Sequence, residues 1–278
     1  MTGAVARSTA PGLHTVAHGR GRPVVILHGG GLDHRHMMDA LEPVFGSTQG
    51  WRRLYVDLPG HGHSPTDDGI SSQDDVLASV IAHCDALLPG KRFAVIGESR
   101  GSYLAQGIAS RCPDRLLGMM LVCAGGMSPD GRHRLPEHRT LVPFETPTGD
   151  LPEALRARVA RLVVQTPGIV EKIRQTKLPA AERADRAMAE RIAGHFTFSF
   201  DPVSGPPFDK PALILNGRQD SIAGYAEMID ALDHYPHATF TVLDRAGHSL
   251  SWERPEAFAT LTRDWLRRME GPTAHQAA

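Results

Sequence analysis

Six short and almost uninterrupted apolar runs recur along this chain, with longer amphipathic stretches between them. They are PVVILHGG (23–30), RRLYVDLPG (52–60), RFAVIGES (92–99), LLGMMLVCAGG (116–126), PALILNGRQD (211–220) and TFTVLDRAGH (239–248). A strand apolar on successive residues is buried on both faces, as the strands of a parallel sheet are. Leu13 to Ala17, followed by His18-Gly19-Arg20-Gly21, reads as an earlier strand ending in a turn. Between the strands lie helical segments at about 34–46, 72–89, 101–112, 222–235 and 254–269. The last opens near Pro255 and spaces Phe258, Leu261, Trp265 and Leu266 as one helical face. Alternation of this kind predicts an α/β chain with a mostly parallel, doubly wound sheet and helices on both faces.

The alternation lapses between 127 and 208. A Gly/Pro/His-rich segment opens this stretch, the amphipathic run LPEALRARVARLVVQ and the charged run PAAERADRAMAERIAGHF follow, and FSFDPVSGPPFDKP closes it. No parallel-strand signal appears before Pro211. The expected organisation is a core of residues 1–126 and 209–278 carrying a helical cap at 127–208. Because the insertion leaves and re-enters the sheet at strand ends, the cap is expected to cover that edge and select the substrate.

Composition narrows the possible partners. The chain has 278 residues and a formal net charge of −1, so nothing draws it electrostatically to nucleic acid or an anionic membrane. No run approaches the roughly 18 apolar residues of a membrane span, and the N-terminal stretch lacks the apolar centre of a signal peptide. A cytoplasmic protein with a small-molecule substrate and no cofactor is expected. The three cysteines, Cys84, Cys112 and Cys123, are odd in number and in no zinc spacing, and read as reduced thiols.

Gly97-Glu98-Ser99-Arg100-Gly101 is a G-x-S-x-G motif placed between an apolar strand and the helix-like run SYLAQGIASR. Such a motif makes a sharp strand-to-helix turn that lifts the serine hydroxyl out of the sheet and aims the helix amides at it. Ser99 is the candidate nucleophile. A serine needs a base at neutral pH, and the base needs an orienting acceptor. Acid and base follow the serine in that chain order. Asp220, closing the fifth run in NGRQD, and His248, closing the sixth in AGHS, both fall in loops at strand C-terminal ends, where such sheets gather ligand-handling groups. Asp130 is an alternative acid. Asp244 reads as a strand-end residue and Glu98 as structural, pointing away from the site.

Attack on a carbonyl creates an oxyanion that backbone N–H groups can hold. The two donors expected are Arg100, just after the nucleophile, and Gly30 in His28-Gly29-Gly30-Gly31, with Gly31 close behind. In the cap, Leu155, Val159, Leu162, Val163, Phe196, Phe198 and Phe200 are apolar. They either line an apolar pocket or pack the cap onto the sheet. Leu162 and Phe198, with Gly31, are the substrate-contact candidates. A metal site from His61, His63, His34 and His36 was weighed against solvated loop histidines. Ser64-Pro65-Thr66 follows where a metallo-β-lactamase-like pattern would continue with further ligands, so no metal is expected.

The segments ILHGGG (26–31), DLPGHGHS (57–64), GESRGSYLA (97–105), NGRQD (216–220) and AGHSL (246–250) together resemble the α/β-hydrolase superfamily. More narrowly, the chain resembles the branch of esterases and carbon–carbon bond hydrolases that includes the meta-cleavage product hydrolases. The resemblance spans everything but the insertion, which sits where that family carries its lid. Ser102 stands where many members have a second glycine. A serine nucleophile, not an aspartate, separates the chain from the epoxide hydrolases and haloalkane dehalogenases of the same fold. The resemblance implies hydrolysis of an ester, lactone, thioester or a carbon–carbon bond next to a ketone, through an acyl-enzyme. A cofactor-free lyase, acyltransferase or perhydrolase, or a binding protein that keeps the three residues, is the alternative on this scaffold.

Overall fold

A computed structural model describes residues 6–7, 12–125, 134–144 and 151–270. Eight strands form one sheet: β1 (Ala6–Arg7), β2 (Thr15–His18), β3 (Arg22–Leu27), β4 (Trp51–Val56), β5 (Phe93–Glu98), β6 (Leu116–Val122), β7 (Ala212–Gly217) and β8 (Ala238–Leu243). Their order is β1-β2-β4-β3-β5-β6-β7-β8. β2 runs antiparallel to both its neighbours, and every pairing from β4 to β8 is parallel. Each strand stops short of the apolar run that announced it, because the last residues of each run are the loops at the sheet's C-terminal edge.

The helices are α1 (His34–Phe45), α2 (Gln73–Leu87), α3 (Arg100–Arg111), α4 (Glu153–Val159), α5 (Pro167–Lys172), α6 (Leu178–Arg183), α7 (Arg186–Ala193), α8 (Ala226–Asp230), α9 (Leu250–Glu253) and α10 (Pro255–Arg268). Successive strand residues face opposite sides of the sheet. Val25, Leu27, Val95, Leu121 and Ile214 pack with Leu77, Val80, Leu104 and Ile108 of α2 and α3. Val24, Ile26, Ala94, Ile96 and Leu213 pack with Met37 and Leu41 of α1 and Phe258 and Trp265 of α10. Among the described residues, no helix is long and apolar enough to cross a membrane.

The helix expected over 222–235 is only the short α8 and a 3-10 turn, Leu232–His234. Its first turn is lost because Ile222 and Ala223 give their N–H groups to Asp220 Oδ1, at 2.9 and 3.0 Å, and Gly224 then turns through φ 67°. The chain wraps the carboxylate instead of winding on.

Between β6 and β7 lie α4 to α7, with one π-helical turn, Ile173–Lys177, between α5 and α6. The extra residue in that turn has a local cause. Leu178 N–H reaches back to Ile173 C=O, and Pro179 has no N–H to restore the ordinary spacing. Leu155, Val159, Leu162, Ile169, Val170 and Ile173 form a separate small core with Trp252. Met188, Ile192 and Phe198 join the main core instead. Phe198 stacks on Tyr103 with ring centroids 4.1 Å apart.

Buried histidines tie together the two loops that leave β3 and β4. His28 is fully buried. Its Nδ1 donates to Gly29 C=O at 2.8 Å, and its Nε2 accepts Leu58 N–H at 3.0 Å. His61 Nδ1 lies 2.8 Å from Pro59 C=O, and its Nε2 accepts Gly31 N–H at 3.2 Å. Both rings work as acceptors and so must be neutral. The expectation of solvated loop histidines therefore fails for His36 and His61, which are buried, and holds for His63, which is exposed. Burial and the neighbouring His61 push the His28 ring down to about 3 from the ordinary 6.5. Unfolded chains then take up this proton first, so the stability tied to neutral His28 is complete above about pH 6.5 and drains away toward pH 3. Denaturant titrations should show a fall approaching about 1.4 kcal/mol per pH unit for this one group in that window. His28→Gln should be less stable at pH 7.5 and less sensitive to acid. An equal acid sensitivity in wild type and variant would remove His28 as its source.

Candidate active site

Ser99 sits between β5 and α3 with φ 54° and ψ −117°, a left-handed-side conformation that costs a non-glycine residue on the order of 1–3 kcal/mol. Neighbouring backbone holds it there. Ser99 N–H donates to Val122 C=O at 2.8 Å, and Ser102 N–H donates to Ser99 C=O at 2.8 Å. The Ser102 hydroxyl lies 2.8 Å from both Gly97 C=O and Val122 C=O and accepts Val122 N–H at 3.1 Å. The serine that departs from the family's glycine thus ties the elbow to β6. The flanking glycines are there for room. A Cβ at Gly97 would stand 2.1 Å from Gly101 C=O, and one at Gly101 would stand 2.3 Å from Leu27 C=O.

The three residues expected to act together are hydrogen-bonded in series. His248 Nε2 lies 3.0 Å from Ser99 Oγ, and His248 Nδ1 lies 2.9 and 3.1 Å from the two oxygens of Asp220. With Nδ1–H donating to the carboxylate, Nε2 is the acceptor for the serine O–H. Asp220 is fully buried. Burial alone would raise its carboxyl. The charge and hydrogen bond of His248, with the N–H groups of Ala223 and Ile222, outweigh that and hold it below the usual carboxylate range. Gln219 binds the two loops together, donating to Asp244 at 2.8 Å and accepting Ala246 N–H at 3.2 Å. Asp244 itself is exposed. The alternative acid, Asp130, lies outside the described residues.

A cavity of about 360 Å³ opens above Ser99, within the range of small-molecule sites. Gly29, Gly30, Arg100 and His248 border it from the core, and Arg158, Arg161, Ile173, Lys177 and Phe196 border it from the insertion. Gly31, Leu162 and Phe198 do not. Gly31 has its N–H engaged by His61, Leu162 fills the small core around Trp252, and Phe198 lies under Tyr103 in the main core. These three expected substrate contacts are corrected to packing and loop-fixing positions. Glu98 is also corrected. It borders the cavity, and both its oxygens lie 2.8 Å from His36 Nε2. Burial opposes its ionisation, yet His36 and then Lys177 bring it down to about 2.

The residues that sequence reasoning missed are the polar ones of the cap. Arg158 and Arg161 stand between the apolar positions 155, 159 and 162, and that interleaving was the available signal. Nothing in the sequence announced that the π turn would bury Lys177. Its ammonium lies 3.0 Å from Ser249 Oγ and 4.6 Å from the centre of the Trp252 ring.

Among the described residues, two groups have ligand atoms close enough to hold a metal: His14, His34 and Asp57, and Cys123, Asp220 and His248. In the first, each Nδ1 already sits at hydrogen-bond distance from Asp57, 2.8 Å for His14 and 2.9 Å for His34, and Asp57 also accepts the N–H groups of His34 and His63. That cluster reads as a clamp on the loop after β4. The second is part of the serine–histidine–aspartate chain.

Comparison with known proteins agrees with this architecture. The Alpha/beta hydrolase family matches over residues 24–261. A pimeloyl-[acyl-carrier protein] methyl ester esterase of Shewanella woodyi is 27% identical over 267 residues, covering 92% of this chain and 98% of the relative. A 2-hydroxy-6-oxononadienedioate/2-hydroxy-6-oxononatrienedioate hydrolase of Burkholderia vietnamiensis is 26% identical, covering 88% and 87%. An alpha/beta superfamily hydrolase of Oenococcus oeni superposes with a TM-score of 0.88 at 24% identity, over 96% of this chain and all of that one, a likeness of fold. With the family matched across the core and the insertion alike, the chain belongs to the alpha/beta hydrolase family and is a hydrolase-type enzyme.

Proposed function

We propose that the protein hydrolyses small-molecule carbonyl compounds, esters foremost, through a covalent acyl-enzyme on Ser99. The observation that carries this reading is the unbroken series Ser99 Oγ–His248 Nε2–His248 Nδ1–Asp220, at hydrogen-bond distance throughout and opening into a cavity. His248 takes the Ser99 proton as Oγ attacks the carbonyl carbon. Asp220 holds the ring in the right tautomer and stabilises the imidazolium that forms. The backbone N–H groups of Gly30 and Arg100 receive the oxyanion, the second with the help of the α3 N-terminus. The alcohol leaves with the proton from His248. Water, deprotonated by the same ring, then releases the acid. The insertion between β6 and β7, through Arg158, Arg161, Ile173, Lys177 and Phe196, supplies the roof that selects the substrate.

Two outcomes test this reading. A fluorophosphonate probe should label Ser99 alone, because among the described residues this hydroxyl is the one hydrogen-bonded to a histidine base beside the proposed oxyanion site. Peptide mapping that finds the label elsewhere, or label persisting in Ser99→Ala, would refute the nucleophile. Asp220→Asn keeps an oxygen for Ile222 and Ala223 N–H, so the loop should stay folded. Turnover of p-nitrophenyl acetate should nevertheless fall on the order of 10³–10⁴-fold in kcat, because the imidazole loses its tautomer and its counter-charge. A folded Asp220→Asn protein within tenfold of wild type would place the acid elsewhere.

A further inference from the structure

We propose that the natural substrate carries an anionic group, a carboxylate, and that Lys177, Arg158 and Arg161 of the cap receive it. This rests on Ser99 being the nucleophile only in where the substrate's carbonyl must lie.

The charge balance of the cavity points this way. Among the described residues, four cationic side chains border it, Arg100, Arg158, Arg161 and Lys177, against one carboxylate, Glu98. Glu98 is already held by His36 on both oxygens. Arg100 is engaged too: its guanidinium donates twice to Gln73 Oε1, at 3.1 and 3.0 Å, and lies against the Phe196 ring. Of the other three, Lys177 lies 4.6 Å from the centre of the Trp252 ring, and among the described residues none is held by a carboxylate. Among the described residues, neither Arg158 nor Arg161 has a hydrogen bond or ion pair to a carboxylate, and the hydrogen bond of Lys177 goes to the neutral hydroxyl of Ser249.

The placement of buried Lys177 and half-buried Arg158 is unfavourable without an anion, while Arg161 is exposed. Lys177 is 9% exposed, and an ammonium can donate three hydrogen bonds. Out of water with one donor engaged, it bears a desolvation cost that an incoming carboxylate would offset. Arg158 and Arg161 stand three residues apart on one turn, where like charges repel. Burial, and then Arg161, pull Arg158 below the ordinary arginine value. A carboxylate between the two would turn that repulsion into two charge-assisted contacts. Ser249, which holds Lys177, is the residue after His248, so the anion site and the reacting carbonyl share one small cavity. A substrate with a carboxylate on a short apolar stem fits this lining, which sets Leu32, Ile173 and Phe196 beside the cations.

The anion can belong to the acyl part or to the leaving alcohol, and two ester series separate these. Monomethyl esters of succinic to suberic acid put the carboxylate on the acyl side. Acetate esters of 4- to 8-carbon ω-hydroxy acids put it on the alcohol side. Each is compared with the neutral ester in which an ethyl group replaces the carboxylate. Binding is measured by calorimetry on Ser99→Ala protein, and turnover by pH-stat on wild type. The expected result, in at least one series, is a preference of tenfold or more for the charged ester, expressed mainly in KM. It should shrink as salt rises. Lys177→Met keeps the buried stem and removes the ammonium. It should cut the charged-over-neutral ratio severalfold, and combining it with Arg158→Gln and Arg161→Gln should bring the ratio near one. Should Lys177→Met fail to fold, the Arg158→Gln/Arg161→Gln protein decides, with the same fall in ratio expected. Charged and neutral esters bound within twofold of each other in both series would overturn the proposal, as would a preference that survives removal of the cations. Turnover by Ser99→Ala would overturn the catalytic reading alone, since the binding arm does not depend on it.

Discussion

The approach of α3 to the sheet at Gly97 and Gly101 is the contact on which the rest depends. With carbonyl oxygens 2.1 and 2.3 Å from where a Cβ would be, the helix can start against β3 and β5 only if both positions are glycine. That approach forces Ser99 into its positive φ and presents its hydroxyl at the sheet edge. Because β5 lies between β3 and β6, the same point is reached by the glycine loop from one side and by the Val122 carbonyl from the other. The acid and base arrive from β7 and β8 across the same edge. The strain at Ser99 is borne by ordinary backbone hydrogen bonds and by the Ser102 hydroxyl.

What was legible in the sequence is what the backbone itself demands. The apolar runs, the elbow glycines, and an aspartate and a histidine just past two strand ends are local features whose meaning survives without knowing what packs against them. The cap was legible as helical and no further. Its apolar residues attracted the functional reading because pockets are often apolar. In this molecule Leu155, Val159 and Leu162 fill a small core around Trp252 and Phe198 joins the main core, which leaves Phe196 and the interleaved arginines to face the cavity. The lost first turn of the 222–235 helix had a related cause. Helical propensity in that segment competes with a buried carboxylate that needs N–H donors, and the carboxylate prevails. His61 of the 57–64 loop departs from the solvated expectation because polar sequence suggests solvent, whereas a neutral imidazole is also a compact acceptor for backbone N–H groups inside a protein.

The segment between β6 and β7 is fastened to the core at two places, which bears on how a substrate enters. On one side Glu253 takes the N–H groups of Val163 and Val164, at 2.6 and 3.2 Å, on one oxygen, and Gly247 N–H at 2.6 Å on the other. A single carboxylate therefore spans the cap and the loop that carries His248. On the other side Phe198 is stacked into the main core beside Gly107, where a Cβ would meet its ring at 2.8 Å. Swinging the whole cap away would break both attachments. Movements of single side chains are far less costly, and exposed Phe196 and Arg161, at the cavity border, are free to make them.

Buried ionisable groups gather along this one edge. Asp220, Glu98, His36, Lys177 and Glu253 all lie within the rim that surrounds Ser99, while the two apolar layers under it are made of ordinary aliphatic and aromatic packing. Burying such groups contributes little net stability even when they are paired, and breaking a pair is costly. The pairings also differ in kind. His36 satisfies Glu98, three backbone N–H groups satisfy Glu253, and His248 with two N–H groups satisfies Asp220. Lys177 has a neutral hydroxyl and the face of the Trp252 ring, with the charge of Glu98 nearby but no carboxylate hydrogen-bonded to it among the described residues. An edge whose negative groups are each matched from within, and whose cations Arg158, Arg161 and Lys177 have no carboxylate hydrogen-bonded to them among the described residues, is complementary to something negative that comes from outside. The large apolar layers supply the stability that lets the fold carry this imbalance until a ligand corrects it.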